Sequence, residues 1–207
     1  MNSALANAVQ KAKDNNMPAD NIQRAIKRGT GELEGVTYEQ VTYEGYGPSG
    51  VAVIVEVLTD NRNRSAADIR NIFSRAGGNL GATGSVGWMF ERKGIILVPK
   101  DGAIGEDDLL GIVIEAGAED MTSEDDQFQI VTDPADLMAV RAALEAGEVA
   151  FTSAELTMLP KSVQSLDAGT AKKVLRLMDA LEDHDDVQEV YANFDIPEEV
   201  LEEAAAS

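Results

Sequence analysis

The chain has 207 residues, 44% hydrophobic and 26% charged, a globular composition with length for one large domain or two to three small ones. It has no cysteine, which excludes disulfides, thiolate nucleophiles and cysteine-bound metals, and no apolar run approaches the ~18 residues of a membrane span, VAVIVEVL being short and carrying Glu56. The opening MNSALANAVQ lacks the basic start and long apolar core of a signal peptide, so a cytoplasmic, non-membrane protein is expected.

In chain order, Leu5, Ala8, Val9 and Ala12 recur at helical spacing, with Lys11 and Lys13 toward the other side. After Asn15-Asn16, Pro18 suits the first turn of a second helix, Ile22, Ala25 and Ile26 form its apolar stripe, and Gly29 ends it. Two helices this short expose too little apolar surface to fold alone and read as the remnant of a helical bundle. From Tyr38 the period changes: Val41 and Tyr43 alternate, EGYGPSG turns, and Val51 to Leu58 is nearly continuous apolar, as in a central strand. Ser65 with Asp68 three residues on is a capping-box pattern, and Ile69, Ile72, Phe73 and Ala76 are the stripe of a helix stopped by Gly77-Gly78. Val86, Trp88 and Phe90 alternate as another strand, and Lys93-Gly94 turns the chain into IILVP.

Residues 95 to 159 read strand, helix, strand, strand, helix, strand, which is the ferredoxin-like βαββαβ order. The first helix carries Leu109, Leu110, Val113 and Ile114 and closes at Gly117; the second starts at Pro134, capped by Asp133. There remain a helix capped by Asp167, with Ala171, Val174, Leu175, Met178 and Leu181, and a strand through Val190, Ala192 and Phe194. A lone helix and strand need a sheet, and the sheet of residues 38–91 is short of both. The fold expected is therefore α+β and multidomain: a helical remnant (1–36), an α+β domain (37–93 and 162–207), and a ferredoxin-like domain (94–161) inserted in it.

The formal net charge is −20, but the charge is unevenly spread. Residues 1–99 hold 11 Lys and Arg against 10 Asp and Glu, whereas residues 100–207 hold 6 against 27. Lys11, Lys13, Arg24, Lys27 and Arg28 form one basic cluster, and Arg62, Arg64, Arg70 and Arg75 a second. Each by itself fits a solvated helix face. Phosphate binding rewards such cations, and an acidic second half keeps the chain soluble and discourages indiscriminate binding.

No motif for phosphate-loop or nucleophilic catalysis stands out, and no carboxylate pair does. The glycines of GGNLGATGSVG follow a helix and lead into a strand, the reverse of a dinucleotide-binding turn, and no G-x-x-x-x-G-K-[ST] occurs. The only histidine, His184, lies in LEDHDD, where consecutive acidic residues cannot all converge on one ion; a solvated helix end is the better reading. Nothing places a nucleophile beside it. No enzyme, no metal and no cofactor are expected.

The run NNMPADNIQRAIKRGTGELEGVTYEQVTYEGYGPSGVAVIVEVLTDNRNRSAADIR, then GGNLGATGSVGWMFERKG, EAGAED and VYANFDIP, closely resembles the YebC-like family over essentially the whole chain. The resemblance implies three domains, a helical bundle and two α+β domains, one ferredoxin-like and inserted in the other. It implies a regulator of gene expression that binds promoter DNA or, in the alternative, a translation factor that acts on the ribosome and its RNA. Family members usually begin with a basic segment containing a GHSKW-like string, and this chain starts after it.

On that resemblance the expected phosphate contacts are Lys11, Lys13, Arg24, Lys27 and Arg28 on the helical part, and Arg62, Arg64 and Arg70 on the first α+β domain. Tyr46 and the loop beginning Gly78-Asn79 are candidate contacts to RNA or ribosomal protein. The partner expected is nucleic acid, with the ribosome a possible setting, met by a monomer. A protein- or small-ligand-binding module is a further reading, resting on fold analogy alone.

Overall fold

A computed structural model describes residues 3–30, 38–100, 104–124 and 126–196. The chain divides into two compact units, one formed by residues 1–25 and 92–158, the other by 26–91 and 159–207. Among the described residues no helix is long and apolar enough to cross a membrane.

The chain opens with α1 (Ser3–Asp14) and α2 (Ala19–Gly29), joined by a turn in which Asn16 takes a positive φ of 56°. Asp20 in the first turn of α2 and Lys27 and Arg28 in its last both complement the helix dipole.

In the second unit, β1 (Glu39–Tyr46) and β2 (Ala52–Thr59) form the hairpin expected around EGYGPSG. β3 (Asn79–Leu80) flanks β1, and β9 (Val187–Ala192) lies antiparallel on the other side of β2, giving the order β3-β1-β2-β9. The strand left over from the chain-order reading thus joins the sheet of residues 39–80. α3 (Arg62–Arg75) and α6 (Ala168–Glu182) contribute to one core with that sheet: Val53, Val55 and Val57 of β2 meet Ile69 and Phe73 of α3 and Val174, Leu177 and Leu181 of α6. A small parallel pair, β8 (Gln164–Ser165) with β10 (Phe194–Asp195), lies beside it. Asn193 closes the end of β9: its Oδ1 accepts from the Ala52 N–H at 2.7 Å.

In the first unit, β4 (Phe90–Pro99), α4 (Glu106–Glu115), β5 (Ala118–Ser123), β6 (Gln127–Thr132), α5 (Leu137–Ala146) and β7 (Ser153–Pro160) follow the βαββαβ order. The sheet order β5-β6-β4-β7 is that of the ferredoxin-like motif. Ile96, Val98 and Ile130 pack with Leu109 and Val113 of α4 and Val140 and Leu144 of α5. α1 is fastened to this unit by charge. The guanidinium of Arg141, only 8% exposed, donates from Nη1 and Nη2 to the two oxygens of Asp14 at 2.7 and 3.0 Å, and from Nε to Glu145 at 2.9 Å. The bidentate bond from Arg141 holds the Asp14 carboxyl below its ordinary range.

Four local readings are corrected. α3 starts three residues before Ser65: Asn61 is its cap, accepting from the Arg64 N–H, while Ser65 is buried in the first turns against the Tyr43 hydroxyl. Val86, Trp88 and Phe90 are not one strand, because Gly87–Met89 is a 3₁₀ turn and β4 begins at Phe90. Lys93-Gly94 is not a turn but lies inside β4, where Gly94 pairs with Thr132. α5 begins at Leu137 with Asp136 before it; Asp133 instead accepts from the Ala135 N–H in the preceding turn. On α6, the Asp167 cap stands as read; Ala171, Val174, Leu177 and Leu181 are fully buried, and Leu175 is half-buried.

Candidate nucleic-acid interface

On α2, Arg24, Lys27 and Arg28 stand at i, i+3 and i+4, which places them on one face, opposite the stripe begun by buried Ile22. All three are exposed, and among the described residues none has a carboxylate partner. On α1, Lys13 is exposed, whereas Lys11 lies 3.4 Å from Glu155 of β7.

In the second predicted cluster, Arg64 is engaged by carboxylates. Arg64 donates from Nη2 to Asp60 at 2.8 Å and to Asp186 at 3.1 Å, and Asp186 also accepts from the Thr59 hydroxyl at 2.9 Å. Burial raises the Asp186 carboxyl, and the bonds from Arg64 and Thr59 outweigh it and hold the group below its ordinary value. Arg64 therefore ties α3 to the turn before β9, and its charge is spent there. Arg62 and Arg70 remain exposed; the Arg62 carbonyl accepts from the Tyr43 hydroxyl. His184, read as a helix end, has its Nε2 at 3.5 Å from Asp68 and its Nδ1 accepting from the Asp186 N–H. Among the described residues no group of three His, Cys, Asp or Glu is placed to hold a metal ion.

The glycine-rich loop after α3 is built around a carboxylate that the sequence reading missed. Strand alternation turns Tyr43 toward the helix-covered core and Glu44 toward the opposite sheet face. There Glu44, 8% exposed, accepts three backbone N–H bonds: Gly84 to Oε1 at 2.7 Å, and Val86 and Gly87 to Oε2 at 2.7 and 2.6 Å. Burial pushes this carboxyl up, but the three N–H donors prevail and keep it below its ordinary range. With its peptide groups clamped, the loop buries Val86 completely and leaves Trp88 68% exposed.

Tyr46 is committed to the same loop, its hydroxyl donating to the Ser85 carbonyl at 2.9 Å, and the Trp88 indole N–H donates to that carbonyl at 3.1 Å. One carbonyl thus anchors the polar ends of two aromatic side chains, and the face of Trp88 stays open. Gly78 and Asn79 serve the sheet edge: Asn79 pairs with Tyr46 in β3, and a Cβ on Gly78 would stand 2.3 Å from the Tyr46 carbonyl oxygen. Gly78→Ala is accordingly expected to destabilise the protein by about 1–3 kcal/mol through backbone displacement, a shift in urea midpoint that Asn79→Ala does not match.

Comparison with known proteins agrees with this architecture. Residues 1–32 match the family model described as the TACO1/YebC protein N-terminal domain, and residues 38–194 that of the TACO1/YebC second and third domain. A protein of Rubrobacter xylanophilus named as a probable transcriptional regulatory protein is 60% identical over 99% of this chain and 82% of its own. One of the same name from Halothermothrix orenii is 58% identical over 98% and 81%. The crystal structure of a conserved hypothetical protein from Aquifex aeolicus superposes with a TM-score of 0.81 at 49% identity, covering 95% of this chain and 81% of that one. With both family models matched in sequence order and relatives aligned over nearly its whole length, the chain belongs to the TACO1/YebC family.

Proposed function

We propose that the protein is a non-enzymatic regulator of gene expression that binds DNA through the outer face of α2. The observation that carries this is the placement of Arg24, Lys27 and Arg28 side by side, exposed and, among the described residues, without carboxylate partners, in a chain of net charge −20. With acids outnumbering bases two to one, adjacent exposed cations are the exception that phosphate rewards. Lys13, Arg62 and Arg70 add exposed positive charge; Lys11 and Arg64 are already paired and contribute less. The regulatory role follows the relatives' name, and the helix face supplies a means for it.

A second reading is favoured by Trp88. An indole held by its N–H and open on its face stacks on unpaired bases, which RNA loops offer and duplex DNA does not. A ribosomal RNA target would use it.

Binding of promoter duplex and of a ribosomal RNA loop, titrated at several salt concentrations, separates the two. For DNA the logarithm of affinity should fall with the logarithm of salt with a slope of about −3, as three phosphate contacts require. Quenching of the single tryptophan by the RNA loop, with weak duplex binding, would move the assignment to RNA. Retention of neither would remove the proposal.

A further inference from the structure

The second unit contains a concavity of about 700 Å³ between the C-terminal end of α3, the Pro48–Gly50 turn and the exposed side of α6. Arg75, Lys173 and Arg176 line it, and among the described residues no aspartate or glutamate does. In a chain with 37 acidic side chains and 17 basic ones, three cations meeting without an acid is an unbalanced arrangement. All three are exposed, and among the described residues none has an ion-pair partner. Arg75 by itself is accounted for by the carbonyls at the end of α3, which a cation complements. Lys173 and Arg176 have no such account: they stand inside α6, clear of its last turn, and belong to the only 6 basic residues of the second half.

The rest of the lining suits a ligand larger than an ion. Pro48, Ile72 and Ala76 give the concavity an apolar wall. Its rim passes through two residues in left-handed backbone, Gly77 at φ 83° and Ser49 at φ 59°. For serine that conformation is unfavourable, and it is held in place by the turn, in which the Gln164 side chain donates to the Ser49 carbonyl. The volume lies within the range of small-ligand pockets.

We infer that this concavity is a nucleotide site, in which Arg75, Lys173 and Arg176 hold the phosphate and the apolar wall takes the adjoining sugar or base. The chemistry is shared by a free nucleotide and by one unit of a single-stranded nucleic acid. The site lies on residues separate from the α2 face, so it stands or falls independently of the DNA-binding role.

The test uses the full chain and two probes: adenosine monophosphate by calorimetry, and a fluorescent ten-nucleotide single-stranded RNA by anisotropy. Lys172 and Lys173 are neighbours on α6, but only Lys173 lines the concavity, so Lys172→Glu changes the net charge as Lys173→Glu does. Lys173→Glu and Arg75→Glu are expected to weaken binding at least tenfold and Lys172→Glu less than threefold. Loss for adenosine monophosphate identifies a free-nucleotide site; loss for the RNA alone identifies a strand site. Equal losses for Lys172→Glu and Lys173→Glu, or no binding of either probe by the unaltered chain, would overturn the inference. If the unaltered chain still retains duplex DNA in that case, only the concavity is rejected; if it retains none while adenosine monophosphate binds, only the DNA-binding role is.

Discussion

Glu44→Gln is expected to destabilise the protein by about 2–4 kcal/mol at neutral pH, although it changes one atom and preserves shape. An amide has one acceptor oxygen where the carboxylate has two. Three N–H groups, those of Gly84, Val86 and Gly87, point at those two oxygens. Whichever way the amide turns, its NH₂ faces at least one N–H donor, and the remaining bonds lose their charge assistance, each worth about 1.5–3 kcal/mol. Relief from burying a charge offsets part of this, which keeps the expected net below the sum of the bonds. The pH dependence separates this cause from a packing fault. Glu44 is held below its ordinary value of 4.5, so its contribution is complete above that value and is lost as pH falls below 4.5 toward the folded-state value. The stability gap between the unaltered protein and the variant should therefore narrow on acidification. Asp14, Asp167 and Asp186 are also held low and make both proteins acid-sensitive, but they cancel in the difference. Trp88 emission, from the only tryptophan, reports the loop directly. A gap that is small at neutral pH, or constant with pH, would mean that the carboxylate does not clamp the loop.

Much of the architecture is legible in the sequence because burial imposes a period. The apolar run of β2 is a strand whose first half is covered on both sides: Ala52 to Val55 are all buried, while Leu58 further on is exposed. The alternation of strands and helical stripes between residues 95 and 159 gives the ferredoxin-like order directly. Errors fall where a local pattern imitates another. Val86 and Phe90 are buried and Trp88 is not, so the triplet imitates a strand with one exposed residue; a 3₁₀ turn produces the same spacing. The bonds that settle the matter come from Glu44, 40 or more residues away, where no local window reaches. Charge clusters fail for a related reason. Counting cations along α3 cannot show that Asp186, 122 residues on, neutralises Arg64. A readable signal did exist on α6, where Lys172, Lys173 and Arg176 make half of the basic residues after position 99.

The second large effect is expected from α2. Reversing Arg24, Lys27 and Arg28 together to glutamate should lower DNA affinity by at least about 100-fold at low salt and flatten the salt dependence by about three units of slope, since each lost phosphate contact removes about 0.9. The helix tolerates the change, glutamate having nearly the intrinsic helix propensity of lysine and arginine. Its position does carry a cost. Glutamate at 27 and 28 opposes the helix dipole in the last turn by about 0.3–1 kcal/mol each. A companion with glutamine at all three positions removes both the dipole penalty and the added repulsion while still deleting the contacts. The slope should flatten equally in both variants, and affinity should fall further in the glutamate one. Arg64→Gln provides the contrast: its guanidinium is engaged by Asp60 and Asp186, so it should cost stability and leave the salt slope nearly unchanged. A slope unaltered by the α2 changes, or altered as much by Arg64→Gln, would show that exposed cations on that helix do not meet phosphate.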